Sequence, residues 1–208
     1  MSRRPQASEA AERCELCNEA IPSEHSHLVN LESRALLCAC RACYLLFTTR
    51  GAAQGRYLSV PERYLTLPAM NLDSAGWDQL DIPVGVACIF RNTAIDRMVA
   101  LYPGPAGATE SLLPLDAWPA IVRDNPALRE VADDVEGVLL RRTATEFECH
   151  IVPIDVCYEL VGRLRRTWRG FQGGDEAQHE IDEVFTRIRN RGRTSSRTAA
   201  PARNGVSR

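Results

Sequence analysis

The sequence predicts an α+β protein: a small N-terminal cysteine-rich metal module, followed by a largely antiparallel sheet with helices packed on one face. Five of the eight cysteines lie between residues 14 and 43, which indicates a metal-binding module. After it, short runs of branched and aromatic residues follow one another, often without a segment long enough for a crossover helix, as is typical of antiparallel sheets. Two amphipathic segments near the end of the chain supply helical surfaces that can pack on such a sheet.

The composition is typical of a globular chain. Of the 208 residues, 45% are hydrophobic and 25% are charged, so the chain can bury a core. The net charge of -2 provides no long-range attraction for nucleic acid or an anionic membrane. No apolar signal segment follows the first residues, and the longest apolar run, IPVGVACIF, is far below the roughly 20 residues of a spanning helix. We therefore expect a cytoplasmic protein, in which clustered cysteines bind metal or carry redox chemistry more often than they form structural disulfides.

Changes in composition divide the chain into four segments. We predict a disordered N-terminus over residues 1–12, a cysteine-rich metal-binding module over 13–55, an α+β domain over 56–192 and a disordered Arg-rich tail over 193–208. The Gly-rich stretch GAAQG marks the boundary between the module and the domain. Because the chain contains no Lys, we interpret the arginines of the tail as a coding bias and the tail itself as a solvated end, low in apolar residues.

The larger domain contains both strand and helix patterns. The predicted strands are short and rich in branched or aromatic residues: RYLSV, RYLTL, VGVACIFR, RMVALY, ATESLL, EGVLLRR and FECHIVP. Three short helices are predicted to begin at capping residues, at Asp73 or Ser74, at Asp116, and at Asn125. Two longer helices, VCYELVGRLRRTW after Asp155 and EAQHEIDEVFTRIR, carry apolar stripes with a helical period, and these stripes are expected to pack on the sheet.

The N-terminal cysteines form two CxxC pairs, Cys14 with Cys17 and Cys40 with Cys43. Each pair can present two thiolates to one ion, at about 2.3 Å for zinc. The runs HLVNL and RALLC between the pairs predict a hairpin that brings them together, and CRACYLLFTT predicts a short helix with its two cysteines on one face of the first turn. This order of knuckle, hairpin and helix start resembles a treble-clef zinc module. We therefore predict that the four cysteines hold one ion, which stabilises a segment too short to fold well alone.

Zinc is the expected ion, and iron, as in rubredoxin-like electron carriers, is the alternative because four thiolates suit both metals. Cys38 lies two residues before Cys40 and is a spare ligand, an exchange partner or a plain strand residue. His25 and His27 are either polar residues leading into a strand or additional ligands or supporting groups near the metal. A ββα-metal nuclease is disfavoured, because its helix carries a further His or Asn and YLLFTTR has neither.

The remaining cysteines and histidines give no catalytic set. Cys88, Cys149 and Cys157 lie singly in strand or helix patterns, where we expect free, buried, apolar thiols. His150 faces the opposite side of its strand from Cys149, and His179 lies off the apolar stripe of its helix. Neither histidine has a partner nearby in the sequence that makes a catalytic pair, so we expect no enzymatic activity from them.

Two Gly-rich loops are candidate partner or ligand sites, because loops on a rigid scaffold often carry function. The first, YPGPAGATES, contributes Thr109, Glu110 and Ser111, and the second, WRGFQGGDE, contributes Trp168 and Arg169.

Three long motifs carry a resemblance to a known family: CELC with HSHL and CACRAC, then YPGPAGATESLLPLDAW, then VPIDVCYELVGRLRRTWRGFQGG. Together they resemble an uncharacterised bacterial family, of actinobacterial type, whose genes are often found near those of uptake nickel-iron hydrogenases. The resemblance covers residues 14–188 and implies a role in hydrogenase assembly, in cofactor or metal delivery, or in electron transfer. It implies no catalytic residue.

These observations predict a non-enzymatic, zinc-binding accessory protein that docks on a protein partner, a hydrogenase subunit or maturation factor. The alternative is an electron-transfer protein with iron in the same cysteine cage, and an enzyme acting in the α+β domain comes third. We expect neither membrane insertion nor nucleic-acid binding.

Overall fold

A computed structural model describes residues 12–49, 51–68, 70–104, 107–114, 117–144, 146–170 and 173–194. The chain divides into two compact units, Met1–Val60 and Pro61–Arg208. The predicted disordered ends lie outside the described residues, apart from Glu12 and the short strand Arg193–Thr194. That strand belongs to the second unit, and it comprises the first two residues of the predicted tail.

The first unit contains a three-stranded sheet and a short helix within its described part. Its elements are β1 (Ser26–Asn30), β2 (Ala35–Ala39), α1 (Arg41–Leu46), a 3₁₀ turn (Ala52–Gly55) and β3 (Tyr57–Ser59). The strand order is β2-β1-β3, and both pairs are antiparallel. The turn between β1 and β2 is held by the Asn30 side chain, whose oxygen accepts from the backbone N–H groups of Glu32 and Ser33, at 3.0 and 3.3 Å.

Strand β3 differs from the prediction, which assigned RYLSV to the larger domain. The residues pair with β1 instead, with Leu28 opposite Ser59. The Tyr44 hydroxyl also donates to the carbonyl oxygen of Val60 at 3.1 Å, and this contact ties α1 to the end of the unit. The division between the units therefore falls after Val60 rather than after Gly55, because β3 satisfies its backbone hydrogen bonds within the module.

The second unit is built on a seven-stranded sheet, counted over the described residues. Its elements are β4 (Leu65–Thr66), α2 (Ser74–Asp78), β5 (Val86–Asn92), β6 (Arg97–Gly104), β7 (Gly107–Leu112), α3 (Ala117–Asp124), a 3₁₀ turn (Pro126–Glu130), β8 (Glu136–Arg142), β9 (Phe147–Pro153), α4 (Ile154–Thr167), α5 (Gly174–Arg191) and β10 (Arg193–Thr194). The strand order is β10-β4-β9-β8-β5-β6-β7, and β10 with β4 is the parallel pair among antiparallel ones. The predicted α+β class with a largely antiparallel sheet is confirmed.

Helices cover both faces of this sheet, whereas one covered face was predicted. On one face, Ile89 and Val138 belong to a core cluster with Trp77 of α2 and Trp118 of α3. On the other face, the ring of His150 lies 5.5 Å from the ring of Phe185 of α5. The physical reason lies in the central strands: the first five residues of both β5 and β8 are buried, so each strand needs cover on its two sides.

Of the predicted capping residues, Asp73 caps its helix, whereas Asn125 precedes the 3₁₀ turn Pro126–Glu130 without a capping hydrogen bond from its side chain. Asp73 is the N-cap of α2, and its carboxylate accepts from the backbone N–H of Gly76 at 2.7 Å. The predicted cap of α3, Asp116, lies outside the described residues. Helices α4 and α5 are joined by an ion pair in which Arg187 Nη1 donates to Glu159 Oε1 at 2.9 Å.

Cys88 and Cys157 form a disulfide that links β5 to α4, which corrects the prediction of two free thiols. Their Cα atoms lie 5.8 Å apart, and both residues are buried. Gly137 of β8 makes room for the bond, because a Cβ atom at this position would lie 2.4 Å from Cys88 Sγ and 2.9 Å from Cys157 Sγ. Cys149 is free and buried, as predicted.

Over the described part of the chain, none of the helices has the combination of length and apolar content that is needed to cross a membrane.

Candidate metal centre

The first cysteine pair lies on a tight loop that the backbone closes by itself. The N–H of Cys14 donates to the carbonyl oxygen of Glu19, and the N–H of Asn18 donates to the carbonyl oxygen of Cys14, both at 2.8 Å. Asn18 adopts a left-handed conformation with φ of 63°, which Asn tolerates better than most residues. The loop thereby turns Cys14 and Cys17 toward the same side, as the CxxC spacing predicts.

The second pair lies where β2 passes into α1. Cys40 is the N-cap of α1, and its sulfur accepts from the backbone N–H of Cys43 at 3.4 Å. The N–H of Tyr44 donates to the carbonyl oxygen of Cys40 at 2.9 Å, which starts the helix. Because the N-cap and the third helical residue lie on one face of the first turn, Cys40 and Cys43 present their sulfurs in the same direction.

The hairpin of β1 and β2 brings the two pairs together. The sulfur atoms of Cys14, Cys17, Cys40 and Cys43 all lie within 4.8 Å of one another, and those of Cys17 and Cys40 are 3.6 Å apart. A tetrahedral ion with metal–sulfur bonds of about 2.3 Å requires sulfurs roughly 3.8 Å apart. The four cysteines fit this requirement, so this cluster, called the four-cysteine cage below, can hold one metal ion.

The thiols of the cage differ in acidity. Burial raises the pKa of Cys14, but backbone N–H donors from Cys40, Cys17 and Leu16 outweigh burial and lower the pKa to about 6. Burial, together with hydrogen bonds among the neighbouring thiols, raises the pKa of Cys43 to about 12. Cys14 therefore favours the thiolate, the form that binds a metal ion, more strongly than Cys43 does.

Cys38 lies with His25 and His27 rather than in the four-cysteine cage. The donor atoms of these three side chains lie within 4.8 Å of one another, and the two imidazole rings have centroids 4.7 Å apart. Glu15 holds Cys38 on both sides of its peptide group: the N–H of Glu15 donates to the Cys38 carbonyl oxygen at 2.9 Å, and Glu15 Oε2 accepts from the Cys38 N–H at 2.6 Å. The structure thus brings the three additional candidates into a cluster of their own.

The two candidate loops differ in structure. Thr109, Glu110 and Ser111 lie in β7, the edge strand of the described sheet, so the first loop is mostly a hairpin strand. Trp168 ends α4 and is 6% exposed, and Arg169 Nη1 donates to the Trp168 carbonyl oxygen at 3.1 Å. A cavity of about 550 Å³ is lined in part by Trp168, Trp77, Arg141, Arg142 and Gln178.

The buried imidazole of His150 has a carboxylate partner two residues earlier in the chain. Its Nε2 lies 3.0 Å from Glu148 Oε1, two residues earlier on the same face of β9, and its Nδ1 lies 3.1 Å from Thr66 Oγ1. The ring is fully buried, and burial lowers the pKa of His150 against the opposing effect of Glu148. The alternation of β9 could have identified this pair. Because the imidazole is sealed from solvent, we interpret the three residues as a structural network.

Comparison with known proteins identifies a family whose function is not known. A family model described as a family of unknown function, DUF5947, matches residues 13–192. No curated protein and no solved structure matches the chain.

Proposed function

We propose that this chain, which belongs to the DUF5947 family of unknown function, is a cytoplasmic, zinc-binding accessory protein that acts through contacts with a protein partner. The observation that carries this proposal is the four-cysteine cage, in which two sulfurs from a loop and two from the start of α1 lie close enough to hold one ion. Zinc sites with four protein ligands leave no place for water or substrate and serve structure, whereas catalytic zinc sites keep an open position. The cage therefore supports a scaffolding role for the first unit.

Exposed apolar side chains beside the cage support a docking role. Leu45 and Leu46, at the end of α1, are 51% and 67% exposed, and Leu16, between the first two cysteines, is 37% exposed. Large apolar side chains exposed on a small module are typical of a contact surface for another protein.

The partner is proposed from the sequence motifs. Because these motifs resemble a family encoded beside uptake nickel-iron hydrogenases, the proposed partner is a hydrogenase subunit or a maturation factor. The protein then contributes to the assembly or maturation of that enzyme, without chemistry of its own.

An iron-containing electron carrier is the second candidate, and two features of the cage favour it. Cys17 is exposed, which allows an electron to enter through its sulfur. The buried sulfur of Cys14 also accepts backbone N–H donors, and such hydrogen bonds tune the potential of iron–thiolate centres.

Metal analysis separates the two candidates. The protein is purified from its native host without added metal and dialysed against a weak chelator. We expect one tightly held zinc per chain and no visible absorption. One iron per chain, with thiolate-to-iron absorption and a reversible redox wave, would favour the electron carrier instead.

A pull-down from the same host tests the partner. We expect a hydrogenase subunit or maturation factor to be identified by mass spectrometry with the wild-type protein and lost with Leu45→Asp combined with Leu46→Asp. Leu112→Asp is the matched control, because Leu112 is 50% exposed, close to the 51% of Leu45, and lies in the second unit. If the wild-type protein recovers no hydrogenase component, the assembly role is wrong. That result would not affect the assignment of the four-cysteine cage as a metal site.

A further inference from the structure

We propose that His25, His27 and Cys38 form a second metal site, separate from the four-cysteine cage, that holds a divalent ion of the zinc class through two imidazole nitrogens and one thiolate. The proposal goes beyond the accessory role above and does not depend on it.

Hairpin register places the three side chains together. His27 and Cys38 are direct partners in the antiparallel pair of β1 and β2, so their side chains leave the same face of the hairpin. His25 lies just before the first residue of β1, and its ring centroid is 4.7 Å from that of His27. The donor atoms of all three lie within 4.8 Å of one another, which one bound ion can bridge.

The hydrogen bonding of His25 leaves one ring nitrogen free for a metal. Nδ1 lies 2.9 Å from the Pro22 carbonyl oxygen, which can only accept, so Nδ1 carries the proton and donates. Glu12 Oε2, at 3.4 Å from the same nitrogen, favours the same tautomer. Nε2 therefore bears a lone pair. Metal-binding histidines commonly donate their other N–H to a backbone carbonyl or a carboxylate in this way.

The free nitrogen of His25 is also buried. The side chain is 7% exposed, and Nε2 has no hydrogen-bond partner among the described residues. A buried polar atom without a partner costs free energy, and such atoms are rare in folded proteins. An ion bound between His25, His27 and Cys38 would satisfy Nε2, which explains why the nitrogen faces away from solvent without a protein partner.

Cys38 is held in position by Glu15. The backbone N–H of Glu15 donates to the Cys38 carbonyl oxygen, and the Glu15 carboxylate accepts from the Cys38 N–H, which orders the end of β2 before Cys40. The carboxylates of Glu12 and Glu15 lie beside His25 and Cys38, and their negative charge favours a cation there.

The ligand set distinguishes this site from the cage. One thiolate and two imidazoles suit zinc and copper ions better than magnesium or calcium, which prefer oxygen. Three protein ligands leave a fourth position for water or for a donor from another molecule, as in zinc sites that exchange or activate a ligand. The ion in the second site is therefore expected to leave at chelator concentrations that the cage tolerates.

The test titrates Co²⁺ into full-length protein whose cage is loaded with zinc, and follows the thiolate-to-cobalt and d–d absorption bands. We expect one further equivalent to bind. Each of three single substitutions should abolish these bands: His25→Ala, His27→Ala and Cys38→Ala. Each variant should still retain one zinc per chain in the four-cysteine cage, which shows that the first unit is folded. His179→Ala, whose side chain is 75% exposed in α5, is the histidine control and should bind cobalt as the wild type does.

A second measurement needs no variant. In long-range proton–nitrogen spectra of the wild-type protein, added Zn²⁺ should shift the His25 Nε2 signal and a ring nitrogen of His27, and leave His179 unchanged. Unchanged His25 and His27 signals would overturn the proposal. Full cobalt binding by all three alanine variants would overturn it too, and loss of the tightly held zinc in Cys38→Ala with normal signals elsewhere would assign Cys38 to the cage instead.

Discussion

The sulfur atoms of Cys17 and Cys40 lie 3.6 Å apart, although 22 residues separate them in the chain. The hairpin between them closes this distance: β1 and β2 pair from Ser26 opposite Ala39 to Asn30 opposite Ala35, so the end of β2 returns to the first CxxC loop. The cage thus depends on a short local element, and its geometry tolerates little change in the hairpin.

The four cysteines of the cage are expected to be equally necessary for tight zinc binding. Serine substitution of Cys14, Cys17, Cys40 or Cys43 should abolish the retained zinc and unfold the first unit, because structural zinc supplies on the order of 10 kcal/mol of folding free energy. Zinc content after dialysis and the dispersion of amide NMR signals measure the two effects. Cys38→Ser is the control and should keep the cage zinc. Full zinc content in all four variants, with loss in Cys38→Ser, would show that the ligand assignment is wrong.

The second unit is expected to fold without the metal. A fragment that begins at Pro61 should remain soluble and unfold cooperatively, because it contains the whole seven-stranded sheet and the helices on both its faces. Thermal unfolding followed by circular dichroism, with and without a strong chelator, should give the same midpoint. Gradual, uncooperative unfolding of this fragment would show that the cysteine module is part of the core.

Gly137→Ala is expected to destabilise the second unit. The new methyl group would meet Cys88 Sγ at 2.4 Å and Cys157 Sγ at 2.9 Å, and overpacking of this kind costs about 1–3 kcal/mol. Urea unfolding of the oxidised protein measures the change. Gly162→Ala in α4 is the matched control: nothing lies within 4 Å of its new methyl group, and Ala in a helix is favoured over Gly by roughly 0.5–1 kcal/mol. Equal stabilities of the two variants would contradict the close packing around Gly137.

The buried network of His150 and Glu148 is expected to make the second unit less stable in acid. Burial depresses the pKa of His150 below its usual 6.5, so the unfolded state binds this proton more tightly than the folded state. The contribution of His150 to the free energy of unfolding is fully present above the pKa that this residue has in the unfolded state. It is lost as the pH falls below that value. Hydrogen bonds from His150 and Arg189 outweigh burial and lower the pKa of Glu148 as well, which adds a loss below its usual 4.5.

Denaturant titrations of the Pro61 fragment between pH 8 and pH 5 check this prediction. The free energy of unfolding should fall below pH 6.5 with a slope of up to about 1.4 kcal/mol per pH unit from His150. In His150→Gln the slope should be smaller, because the amide does not titrate, although the variant is less stable at pH 8. Parallel curves for the two proteins would show that His150 does not titrate with unfolding.

The parts of the fold that depend on local patterns were predictable. Each CxxC pair is positioned by a turn of a few residues, and the apolar runs in β5, β8 and β9 show their strand character directly, since side-chain period and composition act within a single element. The capping of α2 by Asp73 is equally local, because the bond joins residues three positions apart.

The position of Cys38 and the pairing of Cys88 with Cys157 depend on how elements distant in the chain are aligned and packed. Cys38 lies with His25 and His27 because it is opposite His27 in the hairpin, and a shift of one residue would have turned its sulfur to the other face. Cys88 and Cys157 are 69 residues apart, and only the packing of α4 over Gly137 brings them into bonding distance. The sequence by itself therefore determined the cage ligands proposed here and the α+β class. The tertiary structure decided which cysteines pair and which face each helix covers, because those outcomes depend on contacts between strands and helices that no local pattern encodes.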